Sequence, residues 1–214
     1  MPTYNQQIHK DNPYYANPPD FKRLAENYPY LQQYLQQKED GSVIYQFNKK
    51  NATKYVFRYQ IDNRDLTKAL FKQDFHIEWD IPENHLCPGL TGHINYLNEI
   101  HDILKVDPSY SSKKEMIKGV DIGTGASCVY PLLGTVLYKW KFIATDIDSE
   151  SIQHAQHLVE RNHLEDFIQC QYHTKDQPVL KDIIDSSISF TMCNPPFFED
   201  EIEVFFLLFF CSMK

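Results

Sequence analysis

The sequence predicts an α/β protein built around a parallel β-sheet, preceded by a segment rich in α-helix. Short apolar strands alternate with helices over residues 118–193, a rhythm that is typical of parallel sheets. The strand at 118–122 runs directly into residues 123–125 (Gly-Thr-Gly), a tight turn suited to close approach of a ligand. A later strand ends on residues 194–197 (Asn-Pro-Pro-Phe), at the edge where open α/β sheets bind ligands.

The composition is that of a protein with an ordinary core and an uneven charge distribution. The chain has 214 residues, of which 42% are hydrophobic and 23% charged, enough for one domain with a small subdomain. The formal net charge is −8. Residues 1–60 carry eight Lys and Arg against five Asp and Glu, whereas the rest carry 13 against 24. The N-terminal part could therefore contact phosphates, although on charge alone a solvated surface is the better explanation.

Cysteine usage and hydropathy favour an intracellular protein. The five cysteines are scattered and form no Cys-x-x-Cys pair, so the sequence suggests no disulfide framework. The first ten residues are polar and do not resemble a signal peptide. The longest apolar run, residues 204–210, is much shorter than the ~20 residues that cross a bilayer.

The N-terminal half is expected to be an arm followed by mixed elements. Residues 1–20 are rich in Asn, Pro and Tyr and predict an extended arm with turns. Asp20 is placed to cap a helix that reaches about residue 37 and bends at Pro29. The further predicted elements are a strand at 43–47, a helix at 62–75, a short strand at 76–81 and a helix to about 104 after a loop at 85–95.

The second half carries the predicted sheet. Strands are expected at 118–122, 140–144, 167–172 and 188–193, and helices at 128–137, at 149–162 with Ser149 as the N-cap, and at 180–185. In a strand order of 3-2-1-4, the first and fourth strands would be neighbours. Their following loops would then open on one crevice.

The glycine turn and an acidic residue predict a nucleotide site. Gly123 and Gly125 allow a tight turn, and Asp146 ends the next strand, where a carboxylate can accept hydrogen bonds from a ribose diol. A nicotinamide dinucleotide fits poorly, because Cys128 stands where that fingerprint has Gly or Ala. Ser127 and Cys128 have no evident His or Asp partner, which disfavours a hydrolase.

A glycine turn, a second-strand acid and a fourth-strand Asn-Pro-Pro-Phe together fit S-adenosylmethionine better. The turn would flank the methionine end of this cofactor, Asp146 its ribose, and Asn194 its sulfonium methyl group. Each signal alone has a structural explanation, such as a tight turn or an acid favoured at a helix N-terminus. Their occurrence in this order makes the nucleotide interpretation the stronger one.

The run at 194–197 suits a flat base that carries an amino group. The Asn194 side-chain oxygen and the Pro195 carbonyl are acceptors for an exocyclic amine, Pro196 stiffens the backbone, and Phe197 can stack on the ring. The predicted catalytic residues are therefore Asn194, Pro195, Pro196 and Phe197. The target base must be unpaired or flipped out, and we identify no general base.

Three segments resemble one known family. Residues 118–134 (KGVDIGTGASCVYPLLG), 191–198 (TMCNPPFF) and 79–88 (WDIPENHLCP) resemble the methyltransferase-like protein 16 family. This family includes the bacterial RlmF-type 23S rRNA adenine N6-methyltransferases and the eukaryotic U6 small nuclear RNA adenine N6-methyltransferases. The resemblance implies a Rossmann-like, S-adenosylmethionine-dependent RNA methyltransferase in the nucleus and/or cytoplasm. It also implies structured RNA with an unpaired adenine as the partner, with no membrane or protein partner deducible.

The resemblance extends the predicted cofactor site. His93 stands where the family usually has an arginine facing the cofactor carboxylate, and a mostly neutral imidazole would hold that group less tightly. No metal is expected, since His154 and His157 lack a third ligand and are interpreted as surface residues. The predicted cofactor-binding residues are His93, Asp121, Gly123, Gly125, Ser127, Asp146 and Asn194.

The resemblance also suggests boundaries and alternatives. We expect an N-terminal accessory RNA-binding segment at 1–108, a Rossmann-like core at 115–198 and a divergent tail at 199–214. Family members continue well past this tail, so the chain is expected to be C-terminally truncated and to lack the last strands of the sheet. Two alternatives remain open. The scaffold could methylate a small-molecule amine, since its N-terminal arm has few basic residues, or the chain could be an inactive RNA-binding fragment.

Overall fold

The N-terminal half forms short helices and a small hairpin before two long helices. The computed structural model describes residues 8–39, 41, 43–45, 59–83, 85–108, 110, 117–174, 176, 178–180 and 182–195. The elements of this half are α1 (Pro13–Ala16), α2 (Phe21–Asn27), a 3-10 helix (Pro29–Tyr34), β1 (Leu35–Gln37), β2 (Val43–Tyr45), α3 (Tyr59–Phe75) and α4 (Leu90–Lys105). β1 and β2 pair antiparallel.

The second half is a parallel sheet with connecting helices. Its elements are β3 (Lys118–Ile122), α5 (Val129–Tyr138), β4 (Lys141–Asp146), α6 (Ser149–Arg161), β5 (Ile168–Tyr172) and β6 (Phe190–Cys193). The strand order is β5-β4-β3-β6, and all three pairings are parallel. This confirms the predicted α/β class. The order is 3-2-1-4, the arrangement in which the first and fourth strands are neighbours, and β3 lies inside the sheet.

The helix predicted from Asp20 to residue 37 is shorter than expected. Asp20 does cap it, accepting a hydrogen bond from the Arg23 amide at 3.1 Å. However, α2 ends at Asn27, and Pro29 begins a 3-10 helix that gives way to β1. Proline has no N–H for the helical ladder, and the residue before it is biased away from helical geometry, so the α-helix stops here.

The strand predicted at 76–81 is wrong, because this segment pairs with a side chain instead of a strand. The Glu78 amide donates to the Asn162 side-chain oxygen at 2.7 Å, and the Asn162 side-chain nitrogen donates to the Glu78 carbonyl at 2.9 Å. A carboxamide presents the same donor and acceptor as a peptide group, so one Asn replaces one rung of a ladder. Between the two ends of the segment, Trp79 is buried and stacks on Phe71 at 5.1 Å.

Two further predictions in the second half are corrected. The N-cap of α6 is Asp148 rather than Ser149, since the Asp148 carboxylate accepts from the Ser151 amide at 3.1 Å. No helix forms among the described residues near 180–185. There Ile183 donates to the Leu180 carbonyl in a single turn, and Asp182 has a φ of 61°.

One buried apolar cluster joins the N-terminal helices to the sheet. It runs from Tyr14 and Leu24 through Phe71 to Leu132 and Trp140. A smaller cluster, formed by Val120, Ile143 and Ile183, lies apart from it. Within the described ranges, no helix is long and apolar enough to cross a membrane.

The packing predicts opposite effects for two helical glycines. A Cβ on Gly134 in α5 would lie 2.6 Å from the ring of buried Phe142, whereas one on exposed Gly92 in α4 would meet nothing within 4 Å. Gly134→Ala should therefore lower the free energy of unfolding, because overpacking costs about 1–3 kcal/mol and outweighs the helical gain of about 1 kcal/mol. Gly92→Ala should leave it unchanged or raise it. Urea unfolding measures both, and a stabilised Gly134→Ala variant would contradict this packing.

Candidate functional site

Strand register brings three predicted site residues to one edge of the sheet. Ile122, near the end of β3, pairs with Thr145 of β4 on one side and with Cys193 of β6 on the other. The residues that follow Ile122, Thr145 and Cys193 in the sequence are Gly123, Asp146 and Asn194. Since neighbouring strands lie about 4.8 Å apart, these residues line one short stretch of the carboxyl edge.

The glycine turn is held by backbone hydrogen bonds to β4. The amides of Gly123 and Thr124 both donate to the Thr145 carbonyl at 2.9 Å. Gly123 and Gly125 have φ values of +74° and +61°, which L side chains rarely adopt, while a Cβ on either would meet open space. Glycine is therefore required here for its backbone conformation and not for lack of room.

Asp146 connects the turn to the end of β4. One carboxylate oxygen accepts from the Gly125 amide at 2.8 Å, and the other accepts from the Asp148 amide at 3.0 Å. Each oxygen of a carboxylate can accept two hydrogen bonds, so each retains acceptor capacity for a hydroxyl. The side chain therefore shapes the loop and can also bind a diol.

Two apolar side chains beside Asp146 were missed by the sequence reasoning. Ile147 follows it directly, and Tyr172 is its register partner on β5; they are 49% and 50% exposed. Both sit at the same sheet edge as Asp146 and offer apolar surface to a flat ring. The available signal was the aliphatic residue that follows the acid at the end of the strand.

Asp121 is a buried carboxylate without a full complement of partners. It is 1% exposed, and neither oxygen makes a well-formed hydrogen bond within the described part of the chain. Burial and the charge of Asp146 raise the pKa of Asp121 to about 7, although weak contact with the Thr124 hydroxyl opposes this rise. A cation bound beside Asp121 would relieve the cost of its charge.

His93 contacts Tyr130, a residue at the start of α5. Its Nδ1 lies 2.8 Å from the Gly89 carbonyl, so Nδ1–H donates, and its ring is 4.9 Å from that of Tyr130 in the first turn of α5. Burial lowers the pKa of His93 more than the Gly89 carbonyl raises it, so the ring is neutral at pH 7. Burial, followed by the charge of Asp121, raises the pKa of Tyr130. Tyr130 therefore contacts His93 and senses the charge of Asp121. Sequence reasoning did not single out this residue.

The remaining predicted residues differ in how they are placed. Ser127 is half-buried, and its carbonyl accepts from the Trp79 indole N–H at 2.9 Å. Asn194 and Pro195 are exposed at the end of β6. Pro196 and Phe197 lie outside the described residues, so stacking by Phe197 stays a prediction.

His154 is not the simple surface residue that the sequence suggested. Its Nδ1 lies 2.8 Å from the Ala126 carbonyl, and its Nε2 lies 2.9 Å from the Asp80 carboxylate. His157, one turn further along α6, is exposed as expected. The helical periodicity could not reveal this difference, because the partners of His154 are distant in sequence.

A separate cluster has the composition of a cation site. His9, Asp11 and Asp102 each place a ligand atom within 4.8 Å of the others. The Lys105 ammonium lies 3.0 Å from Asp102 and 4.0 Å from Asp11. A lysine already balances both carboxylates, which makes this cluster an ion-pair network at the surface.

The parallel sheet, the glycine turn and the acid at the end of the neighbouring strand define the class of Rossmann-like methyltransferases. A family model described as RNA methyltransferase matches residues 3–205, and the chain belongs to this family. The chain is 39% identical over 201 residues to a U6 small nuclear RNA (adenine-(43)-N(6))-methyltransferase of Caenorhabditis elegans. That match covers 91% of this chain but 39% of the relative, so the chain spans well under half of the relative's length.

Solved structures show the same fold. The N-terminal domain of human METTL16 in complex with SAH matches with a TM-score of 0.74 and 33% identity, over 96% of this chain and 78% of that one. The human METTL16 catalytic domain in complex with MAT2A 3'UTR hairpin 6 matches with a TM-score of 0.72 and 34% identity, over 92% and 63% of the two chains.

The burial of Asp121 predicts a pH-dependent stability. The pKa of Asp121 is raised from 3.8 to about 7, so between these pH values the folded protein holds a proton that the unfolded chain has released. The free energy of unfolding should therefore fall as pH rises through this window, by at most about 1.4 kcal/mol per pH unit.

Asp121→Asn, which keeps the shape and removes the charge, isolates this effect. Urea unfolding without added ligands should show that the variant gains stability relative to the wild type as the pH is raised from 5 to 8. A stability difference that is the same at both pH values would show that Asp121 does not titrate in this window.

Proposed function

We propose that this chain binds S-adenosylmethionine at the carboxyl edge of its sheet and transfers the methyl group to the exocyclic amine of an unpaired adenine in structured RNA. The register of β3 with β6 carries this proposal, because it sets Asn194 beside Gly123. The names of the relatives support the same chemistry, since they describe RNA adenine N6-methyltransferases.

The residues at this edge fit the parts of such a cofactor. The buried carboxylate of Asp121 matches an α-ammonium group, which would supply the missing positive charge. Asp146 retains acceptor capacity for the ribose hydroxyls, and Ile147 and Tyr172 offer apolar surface for the adenine ring. His93 would face the cofactor carboxylate, where its neutral ring gives a weaker contact than an arginine.

Asn194 and Pro195 are proposed to hold the target amine. When bound, S-adenosylmethionine supplies the methyl group on a sulfonium that is already a good leaving group, so alignment is the main task of the protein. The Asn194 side-chain oxygen and the Pro195 carbonyl would accept the two N–H bonds of the amine. Its lone pair would then be directed away from the ring and towards the methyl group. No general base is required, because the proton can leave to water after transfer.

Structured RNA is the proposed partner. The relatives are named for U6 small nuclear RNA or were solved with a hairpin from the MAT2A 3'UTR. A hairpin presents an unpaired adenine that can be splayed out, as sequence-specific RNA recognition usually requires. We infer a nuclear RNA of this kind, in preference to ribosomal RNA.

Binding and methylation assays test the function together. Isothermal titration should show that the purified chain binds S-adenosylmethionine, and a hairpin with an unpaired adenine should acquire N6-methyladenine. Binding of this RNA should weaken steeply with added salt. Cofactor binding with methylation of a small amine only would favour the alternative substrate class, whereas no cofactor binding would overturn the proposal.

Asn194→Ala should separate catalysis from cofactor binding. Losing one oriented acceptor should reduce single-turnover methylation by about 100-fold or more. The affinity for S-adenosylmethionine should change far less, because Asn194 acts mainly on the amine. Asn27→Ala is the matched control, since Asn27 is exposed on α2 and bonds only to Gln73 among the described residues. Equal turnover of Asn194→Ala and the wild type would refute the assigned role.

A further inference from the structure

Two consecutive carbonyls of the glycine loop are held by side chains from distant parts of the chain. The Ala126 carbonyl accepts from His154 of α6 at 2.8 Å, and the Ser127 carbonyl accepts from the Trp79 indole at 2.9 Å. Both contacts lie between Gly125 and the start of α5, on the loop that links the proposed cofactor site to its helix. They therefore fix the orientation of two peptide groups that the sheet itself does not reach.

Asp80 completes the arrangement by fixing His154. The Asp80 carboxylate lies 2.9 Å from Nε2 of His154 and 2.7 Å from Arg161. Burial alone would raise the pKa of Asp80, but the hydrogen bond and charge of Arg161, together with His154, lower it. The carboxylate is therefore ionised and acts as an acceptor for both partners.

His154 uses both of its ring nitrogens. Nδ1 faces the Ala126 carbonyl at 2.8 Å, and Nε2 faces the Asp80 carboxylate at 2.9 Å. Both facing groups are hydrogen-bond acceptors. His154 is thus the side chain that links Asp80 to the glycine loop.

Trp79 and Asp80 lie on a segment that is fixed by packing and by backbone hydrogen bonds. Trp79 is 1% exposed and stacks on Phe71 of α3, and the neighbouring Glu78 is paired through both backbone groups with Asn162. The N-terminal half of the chain therefore presents Trp79 and Asp80 to the loop from a rigid base.

The loop needs such support because its backbone is strained. Cys128, at the N-cap of α5, has a φ of 47°, which is costly for a residue other than glycine. Strained conformations persist only where the surroundings over-determine them. The hydrogen bonds to the carbonyls of Ala126 and Ser127 hold the backbone in this conformation.

We propose that Trp79, Asp80 and His154 are positioning residues that hold the loop at 123–127 in its cofactor-binding shape. This inference rests on the proposed function for its consequence, but the loop support can be measured without cofactor. The three side chains couple the N-terminal half to cofactor affinity without touching the cofactor.

Paired substitutions test this role against plain destabilisation. His154→Ala removes the hydrogen bonds of the imidazole to Ala126 and to Asp80. His157→Ala removes an exposed imidazole from the same helix. Trp79→Phe removes the N–H to Ser127. Its control is Trp140→Phe, because Trp140 is fully buried and its indole N–H makes no well-formed hydrogen bond within the described residues.

The readouts are S-adenosylhomocysteine affinity, the unfolding free energy and hydrogen exchange of the loop amides. His154→Ala and Trp79→Phe should weaken affinity by about tenfold, the effect of losing one hydrogen bond to a charged or buried group. The Gly125 amide should also exchange faster in both, without ligand. The two controls should keep wild-type affinity and exchange at position 125, even where Trp140→Phe lowers stability.

Each outcome decides the proposal. Wild-type affinity and wild-type exchange at Gly125 in folded His154→Ala would overturn it. Should His154→Ala fail to fold, Asp80→Ala, which removes the acceptor that holds His154, must show the same local loss. A wild type that does not bind S-adenosylhomocysteine would defeat the proposed function, and the exchange experiment would still report on the loop support alone.

Discussion

The parallel pairing of β3 with a strand on each side is the constraint on which the site depends. It sets the ends of β4, β3 and β6 level, so that an acid, a glycine turn and an amide emerge side by side. Gly119 makes this pairing possible, because a Cβ there would collide with the ring of Phe190 on β6. A side chain at position 119 would push β6 away and carry Asn194 with it. The geometry of the site thus depends on packing at the opposite end of two strands.

The N-terminal half contributes to the same site through tertiary contacts. The apolar cluster that begins in α1 and α2 continues into α5 and the sheet without a break. Residues 78–80 lie beside α6. There Asp80 bonds to His154 and Arg161, and Glu78 bonds to Asn162 at the end of the helix. The N-terminal half is therefore joined to the glycine loop by direct hydrogen bonds.

Much of the core was predictable because its signals are local. Apolar strands separated by helices indicated the sheet, and the glycine turn, Asp146 and Asn194 indicated a nucleotide site at the carboxyl ends of its strands. The helix that ends before Pro29 and the N-cap at Asp148 follow from local signals that were misjudged. Two other errors arose because long-range contacts overrode local preference. Residues 76–81 have the composition of a strand, yet the Asn162 carboxamide takes the place of a neighbouring strand. His154 resembles a surface residue until folding brings Asp80 and Ala126 to it.

We propose that the glycine turn and the Asn194 amide belong to one ligand site. NMR of the chain labelled with ¹⁵N at Gly and Asn, during titration with S-adenosylhomocysteine, tests this claim most directly. The backbone signals of Gly123 and Gly125 and the side-chain amide of Asn194 should shift together with one dissociation constant, while Gly41 and Asn27 stay unchanged. Shifts at the two glycines with an unperturbed Asn194 amide would show that the two features do not share a site.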